Sequence, residues 1–458
     1  MIKSRNVDIT GGPILKSVIA FAIPMMLTSL LQSLFNTADL MVVGNMGGDV
    51  AMGAVGAVTP VSSLLVNSFV GLSAGVNAVL ARCLGSGNSG RVRRVVNTAV
   101  IFSFVLGVLL AISCVAFSKS LLEIVGCPED CFDGAVLYLQ IYALGVPAMM
   151  VYNFASAIIR TSGDSSSPLR YGTIAGLSNV VLNVVLCFAL ESKVAAVAIA
   201  TTVSQAVGAL LTFVHLVRLN SDCKFDVKKL SFSFAELGVI LKIGLPCAFN
   251  SSLFSLSNIQ MHSLINSFGS AATAGNAAAT NLESLVSCFC NGIIAATVPF
   301  VGQNIGSGNK KRVWQSILCC WGLAALFGFV LGYASYFMRS ELLALYLPDS
   351  VDAIICGSSR MTYVARFTFI SASFNTFASA LQAFGYSILP MINSIMTVFV
   401  FRVVWVEFVY PPLDAISHNI DNVYSCYTFS WLLSFIAHGS VMLIVLMRYL
   451  KTGKTKRL

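Results

Sequence analysis

Apolar stretches long enough to cross a lipid bilayer recur along the whole chain, and they constrain its fold more than any other feature. A helix needs about 20 mostly apolar residues to span the hydrocarbon core. The 458 residues are 57% hydrophobic and 10% charged, whereas a soluble domain carries about 25% charge. We therefore predict an all-α polytopic membrane protein with twelve transmembrane helices at about residues 14–44, 53–81, 95–117, 132–160, 169–190, 194–218, 237–268, 272–303, 313–337, 354–384, 388–409 and 424–449.

The distribution of basic residues predicts the orientation of the chain. Most of the 28 Lys and Arg residues fall in segments that lie on one side of the membrane if the chain starts in the cytoplasm. An excess of basic residues is typical of cytoplasmic loops. We expect an integral protein of the plasma (inner) membrane with both termini cytoplasmic. The net charge of +9 follows from this topology and gives no reason to expect a nucleic-acid partner.

The sequence repeats itself at an offset of about 222 residues, and such an internal repeat decides the architecture. Pro24 and Asn36 match Pro246 and Asn258, and the loop LGSGNSGR at 84–91 matches IGSGNKKR. Each GSGN loop is predicted to make a tight cytoplasmic turn before a helix rather than to bind phosphate, because the GK[ST] ending is missing.

The repeat predicts two homologous six-helix lobes: an N-lobe at 1–218, a cytoplasmic linker at 219–234 and a C-lobe at 235–458. Six is an even number, so both copies begin on the same side of the membrane and the repeat is parallel. In transporters built this way, substrate sites lie near the bilayer midplane at the repeat interface.

A carboxylate interrupts the first apolar run at Asp39. A charge at the bilayer centre costs about 3 kcal/mol even on the most lenient scale, and it normally marks an ion or substrate path. Transport is therefore the function that the sequence favours.

Polar residues at helical spacing accompany this carboxylate on three helices. They predict either an oxygen-rich pocket for a hard cation or a hydrated pocket around a protonatable acid. For each amide or hydroxyl residue, helix packing is the alternative role. The predicted cation-coupling residues are Asp39, Asn36, Asn179, Asn183 and Thr201.

The C-lobe contains one mid-helix acid, Glu283. This carboxylate is predicted either to anchor a cationic ligand, with aromatic rings adding cation–π contacts, or to form an internal ion pair with Arg366 or Arg402. His262 either relays protons or is a hydrogen-bonded structural residue. The predicted substrate-binding residues are Glu283, Asn258, His262, Asn276, Thr280 and Gln32.

Neither a metal centre nor an enzyme active site is expected. The 13 cysteines lack the paired spacing of a zinc site, although Cys127 and Cys131 share a loop and their pairing is left open. The four histidines are dispersed without an HExxH motif. We expect no cofactor, and sodium at Asp39 is the only metal ion that we consider.

Several motifs in their order resemble the multidrug and toxic compound extrusion (MATE) family over about residues 12–450. They are the GPI start at 12–14, FNTADLMVVG at 35–44, the doubled GSGN loops, RTSGDSSSPL at 160–169 and ATTVSQ at 200–205. The resemblance implies secondary active export of organic cations and amphipathic drugs in exchange for protons or sodium, by alternating access of the two lobes. We expect drug-like substrates, surrounding membrane lipids and a monomer.

The resemblance also implies roles for individual residues. In prokaryotic members the N-lobe cation site uses a helix-one Asp, matched by Asp39, and a helix-six Thr, matched by Thr201. The helix-five pair is an Asn and an Asp in the family but Asn179 and Asn183 here. The site thus has one negative charge, enough for one proton or one sodium ion, and we favour the proton because sodium needs more oxygen ligands than these residues offer.

A lipid or lipid-linked oligosaccharide flippase is the alternative function, because related exporters share this topology. Such a protein needs several intramembrane Arg or Lys residues to neutralise a pyrophosphate, and the sequence offers Arg366 and Arg402 as candidates.

Overall fold

The computed structural model describes residues 7–348, 350–417 and 419–456, without the side chains of residues 40 and 45–51. These described residues form helices joined by short loops and contain no β-strand. Lys3, Arg5 and Arg457, part of the predicted cytoplasmic charge, lie outside them. The all-helical class predicted from hydropathy is confirmed.

Long apolar helices dominate the first half of the chain. Its described residues form α1 (Ile14–Gly85), α2 (Ser89–Ala116), α3 (Ser118–Val125), α4 (Phe132–Leu144), α5 (Val146–Thr161), α6 (Ser166–Ala189) and α7 (Lys193–Arg218). Two apolar spans, Ile14–Gly44 and Met52–Gly85, lie within α1, and α4 and α5 form one span broken by a 45° bend.

The second half follows the same order with more interruptions. Its helices are α8 (Phe234–Asn266), α9 (Ser270–Gly306), α10 (Lys310–Phe337), α11 (Arg339–Ala344), α12 (Val351–Tyr363), α13 (Thr368–Ala383), α14 (Ile388–Ser394), α15 (Phe401–Val404), α16 (Tyr410–Ile416) and α17 (Asp421–Thr452). Two π-helical segments, Ile395–Val400 and Trp405–Val409, flank α15.

The number of helices that could span a membrane is close to the prediction. The described residues contain ten helices of sufficient length and apolarity, or 11 if the bent α4–α5 pair is one span. The predicted span at 354–384 is not among them, because a 3-10 turn at Ala365–Phe367 divides it into α12 and α13. Arg360 and Arg366 lower its apolarity further.

The chain forms two compact units, and their boundaries fall inside helices. The N-terminal unit contains Leu27–Gly244, and the C-terminal unit contains Asp8–Met26 and Leu245–Leu458. The start of α1 packs within the C-terminal unit, where the rings of Phe21 and Phe300 meet edge to face at 5.7 Å. The linker and the start of α8 belong to the N-terminal unit. The predicted lobe boundaries at 218 and 235 therefore stay a prediction about the sequence repeat.

Matching glycines bring matching helices together in each unit. A Cβ added at Gly107 of α2 would lie 2.6 Å from the Cα of Pro147 in α5, and one at Gly328 of α10 would lie 2.8 Å from the Cα of Phe369 in α13. Such distances are too short for any side chain, so only glycine permits these approaches. These two pairs of residues match at the repeat offset. The repeat is therefore present in the helix packing as well as in the sequence.

The two GSGN loops make the predicted turns before helices. Gly87 and Gly308 have φ of +67° and +73°, a conformation that glycine adopts without strain. The side chain of Asn88 then accepts from the backbone N–H of Arg91 at 3.0 Å, and Asn309 caps α10 in the same way. These caps satisfy backbone donors at the helix start.

No disulfide forms among the cysteines, which are all free. The sulfurs of Cys127 and Cys131 lie 3.9 Å apart, well beyond the bond length of about 2.05 Å. Burial raises the pKa of Cys223, in the linker, to about 12, so this thiol stays protonated and unreactive at neutral pH.

Candidate functional site

Asp39 of α1 receives hydrogen bonds from α6 within the N-terminal unit. The amide nitrogen of Asn183 donates to Oδ1 of Asp39 at 2.7 Å, and the Asn183 side chain is fully buried. An amide donor this close holds the carboxylate in one orientation. The structure thus brings together two residues that the sequence placed on different helices.

Asn179 lies one turn before Asn183 and completes the contact between α1 and α6. With its amide nitrogen facing the carboxylate, Asn179 donates to Oδ2 of Asp39 at 3.0 Å. This orientation is the chemically consistent one, because the alternative turns the amide oxygen toward a carboxylate that is an acceptor itself. Both oxygens of Asp39 therefore accept from buried amides.

Hydroxyl groups close the other side of this site. The hydroxyl of Thr201 on α7 lies 3.5 Å from the amide of Asn179, and the side chain of Tyr138 on α4 lies beside Thr201. Tyr138 also lies close enough to Asp39 for electrostatic interaction. The resulting Asp39 cluster consists of Asp39, Tyr138, Asn179, Asn183 and Thr201.

Tyr138 is the member of the Asp39 cluster that sequence reasoning missed. It is buried and stacks on Tyr142, one turn later, with ring centroids 6.2 Å apart. A pair of tyrosines four residues apart in an apolar span was the available signal, but it is equally typical of ordinary core packing.

Two predicted polar residues of α1 lie outside the Asp39 cluster. Asn36 and Gln32 are exposed, and neither side chain hydrogen-bonds another described residue of the cluster. Their proposed roles in cation coupling and substrate binding stay predictions.

Glu283 of the C-terminal unit forms a bidentate ion pair with Arg360 of α12. Nη2 of Arg360 donates to Oε2 at 2.7 Å, and Nε donates to Oε1 at 3.0 Å. Both carboxylate oxygens are thereby engaged, which favours the ion-pair alternative over the anchor for a cationic ligand. The predicted partners of Glu283, Arg366 and Arg402, were wrong. The partner is Arg360, which was not among the predicted candidates.

Arg360 also connects three of the predicted substrate-binding residues. Its Nη1 donates to Oδ1 of Asn276 at 2.8 Å, and the amide of Asn276 lies 3.0 Å from Nδ1 of His262. The hydroxyl of Thr280 instead donates to the backbone oxygen of Asn276 at 2.7 Å, a local helix contact. Glu283, Asn276 and His262 thus form one hydrogen-bonded network.

A second arginine, Arg402 of α15, lies next to this network. Its Nη1 donates to Oδ1 of Asn258 at 3.0 Å and to Oγ of Ser257 at 3.3 Å, and its Nε donates to Oγ of Ser430 at 3.5 Å. The guanidinium carbons of Arg402 and Arg360 lie 4.4 and 5.1 Å from the ring centroid of Tyr427. We call Glu283, Arg360, Arg402 and Tyr427 the arginine cluster.

The sequence repeat relates one residue of the Asp39 cluster to one of the arginine cluster and brings a second pair within one residue. At the offset of about 222 residues, Tyr138 matches Arg360 and Asn179 matches Phe401, the neighbour of Arg402. The π-helical segment Ile395–Val400 precedes Arg402, and a π turn contains more residues than an α turn. Arg402 therefore lies one residue after the position that matches Asn179 in the sequence repeat.

The described residues contain no group of three or more His, Cys, Asp or Glu side chains suited to a metal ion. A cation at the Asp39 cluster would meet one carboxylate and neutral oxygens. That donor set suits a proton or a single alkali cation rather than a tightly held divalent metal ion.

Comparison with known proteins agrees with the repeat. Residues 24–188 and 246–406 each match the MatE family. The probable multidrug resistance protein YoeA of Bacillus subtilis is 26% identical over 440 residues, which cover 91% of this chain and 94% of YoeA. The probable multidrug resistance protein NorM of Thermotoga maritima is 28% identical over 393 residues, 84% of each chain.

A solved structure shows the same fold. A MATE family transporter of the MOP superfamily in an outward-facing conformation superposes with a TM-score of 0.90 at 21% identity, covering 99% of this chain and all of the other. At this identity the likeness concerns the fold alone.

Proposed function

Because the chain belongs to the MatE family, that of the MATE transporters, we propose that it exports amphipathic small molecules in exchange for one monovalent cation bound at Asp39. The observation that carries the proposal is the pair of amide donors on the Asp39 carboxylate. They hold an intramembrane charge ready to be neutralised, and such charges mark ion pathways.

One charge sets the number of coupled ions. The cluster has a single carboxylate, and Asn183 stands where the family has a second acid. One proton or one sodium ion neutralises Asp39, so we propose a coupling ratio of one ion per conformational cycle.

The hydrogen bonds favour the proton over sodium. Both amides present N–H groups to Asp39, so their oxygens are turned away from a cation at the carboxylate. Oδ1 of Asn183 is buried and lacks a hydrogen-bond partner in the described structure. Protonation makes the carboxyl group a donor, and rotation of the Asn183 amide then gives its Oδ1 that donor.

This exchange of hydrogen bonds supplies the coupling. A ligand shifts a conformational equilibrium only through its different affinity for the two states. The charged carboxylate favours the arrangement in which both amide N–H groups donate to it, whereas the protonated carboxyl group releases at least one of these donors. We propose that this release biases α1 toward the alternative access state.

The flippase alternative is disfavoured by the charges of the C-terminal unit. Arg360 adds a third arginine to the two that the sequence suggested, but Glu283 neutralises it. Within the arginine cluster Arg402 then leaves one positive charge, which is insufficient for a pyrophosphate with two or more negative charges, and Arg366 instead contacts the rings of Tyr336 and Phe367.

The membrane orientation follows from the basic residues. We propose that the protein lies in the plasma membrane as a monomer with both termini in the cytoplasm. Single cysteines at positions 89 and 309 should react only with reagents added on the cytoplasmic side, and one at position 416 only from outside. The reverse pattern would refute this orientation.

Transport in proteoliposomes tests the role of Asp39. Asp39→Asn should reduce export driven by a pH gradient at least about 100-fold, because the neutral amide cannot gain or lose a proton, while substrate binding persists. The matched control is Thr37→Ala, since the exposed Thr37 hydroxyl contacts only the backbone oxygen of Ser33. Export that follows a sodium gradient at fixed pH would replace the proton by sodium, and undiminished export by Asp39→Asn would refute the proposed site.

A further inference from the structure

Arg402 is a buried arginine without a carboxylate partner. Its side chain is 1% exposed, and it belongs to none of the ion pairs found among the described residues. The titratable groups that face it are Tyr427, Cys426 and Arg360, none of which is an anion at neutral pH. Fully buried arginines are rare unless they are paired, so this charge lacks the partner that burial normally requires.

The surrounding groups position Arg402 but do not neutralise it. Ser257, Asn258 and Ser430 are neutral acceptors at 3.0 to 3.5 Å, longer than the distance of about 2.7 to 2.9 Å that is typical of a guanidinium on a carboxylate. Glu283 uses both oxygens on Arg360. The arginine cluster therefore has a net charge of +1 inside a membrane-spanning unit.

The side chain of Asn258 lies between the guanidinium of Arg402 and the surface of its unit. Asn258, whose Oδ1 accepts from Nη1 of Arg402, is exposed. An oxyanion that arrives at this surface can replace the amide oxygen and receive the same N–H group with a full negative charge. Trp405 and Trp431, which pack against the core around Tyr427, offer apolar surface for the rest of such a molecule.

The backbone around Arg402 also departs from regular helix. Arg402 lies on the single turn of α15 between the π-helical segments Ile395–Val400 and Trp405–Val409. π-helical segments are rare and are frequent at functional sites. Between these two segments, Arg402 contacts Ser257 and Asn258 of α8.

We infer that Arg402 binds the anionic group of an amphipathic substrate, and that this group is an organic carboxylate. One guanidinium matches one negative charge, and its two parallel N–H groups match the two oxygens of a carboxylate. The inference rests on the proposed export function and narrows its substrate class, from cations to zwitterions and monoanions that carry an aromatic or other apolar body.

A matched pair of dyes tests this inference by binding alone. Rhodamine 110 carries a free carboxylate, and rhodamine 123 is its methyl ester with the same ring system. The full-length protein in nanodiscs of phosphatidylcholine, without any ion gradient, should bind rhodamine 110 about tenfold more tightly, as a charged hydrogen bond predicts. Arg402→Gln should abolish this preference, and Arg402→Lys should retain part of it.

Asn258→Asp provides a second variant in which Arg402 remains. A carboxylate at position 258 would pair with Arg402, so the preference for rhodamine 110 should disappear while the protein stays folded. Tighter binding of the ester by the wild type, or an unchanged preference in Asn258→Asp, would overturn the inference. Displacement of rhodamine 110 by phosphatidylglycerol at equal concentration would assign the site to a lipid phosphodiester and overturn it as well.

The result is independent of the coupling mechanism. The dye preference is an equilibrium property measured without transport, whereas the Asp39→Asn experiment measures gradient-driven export. Failure of the Arg402 inference can therefore be distinguished from failure of the proposed coupling at Asp39.

Discussion

The two units repeat one scaffold but hold clusters of opposite net charge. In the N-terminal unit, Tyr138 and Asn179 surround the anionic Asp39. In the C-terminal unit, Arg360 matches Tyr138 and Arg402 lies one residue after the match of Asn179, with Glu283 neutralising Arg360. The comparison teaches that one repeated scaffold can carry clusters of opposite net charge, because substitutions and not the fold decide which charged residues each unit holds.

The largest effect is expected where a buried ion pair is broken. Glu283→Gln leaves Arg360 and Arg402 both without an anion, and removal of one partner from a buried pair costs about 3 to 5 kcal/mol. Thermal unfolding in detergent should show a clear loss of stability for Glu283→Gln. Asp39→Asn, which removes a lone charge and keeps the shape, should change stability much less.

A double variant sharpens this contrast. Glu283→Gln combined with Arg360→Gln should recover much of the lost stability, because no unpaired charge from the pair remains. If Glu283→Gln instead keeps wild-type stability and binds the cationic rhodamine 123 more weakly, the result would support Glu283 as an anchor for cations.

A smaller loss of stability, equal in the two units, is expected at the glycines that make the same helix contact in each unit. Gly107→Ala and Gly328→Ala each place a Cβ within 3 Å of a neighbouring backbone, and such overpacking costs about 1 to 3 kcal/mol. Similar losses in thermal unfolding would show that the scaffold tolerates the same change equally in both units. A large loss in one variant alone would contradict the structural equivalence.

The smallest effect concerns the hydroxyl of Tyr138. Tyr138→Phe removes the hydroxyl that lies beside Thr201 and Asp39, and the loss of one such polar interaction costs about 1 kcal/mol, so export driven by a pH gradient should fall about fivefold. Tyr142→Phe is the matched control, since the Tyr142 hydroxyl contacts the sulfur of Met149 at 3.8 Å. Equal rates in both variants would exclude Tyr138 from the Asp39 cluster.

The residues that meet in the Asp39 cluster were largely predictable from the sequence, and those that meet in the arginine cluster were not. Asp39, Asn179, Asn183 and Thr201 are polar residues in strongly apolar helices, so helical spacing marks them and the membrane leaves few alternative environments for them. Arg360 was not among the predicted partners of Glu283, although it lies in the same predicted span, 354–384, as the suggested Arg366. Its pairing with Glu283 joins residues 77 positions apart, and spacing along one helix contains no information on such a distance.

The sequence by itself determined the helical membrane class, the two-fold repeat, the GSGN turns and the position of the intramembrane charges, because hydropathy, periodicity and glycine conformation act locally. Only the tertiary structure decided which charges meet. Whether Glu283 contacts Arg360, Arg366 or Arg402 depends on the packing of separate helices and on the register shift that π-helical segments introduce near Arg402. A difference of a few ångströms decides whether a buried charge is paired, since electrostatic interaction and hydrogen bonding both depend steeply on distance.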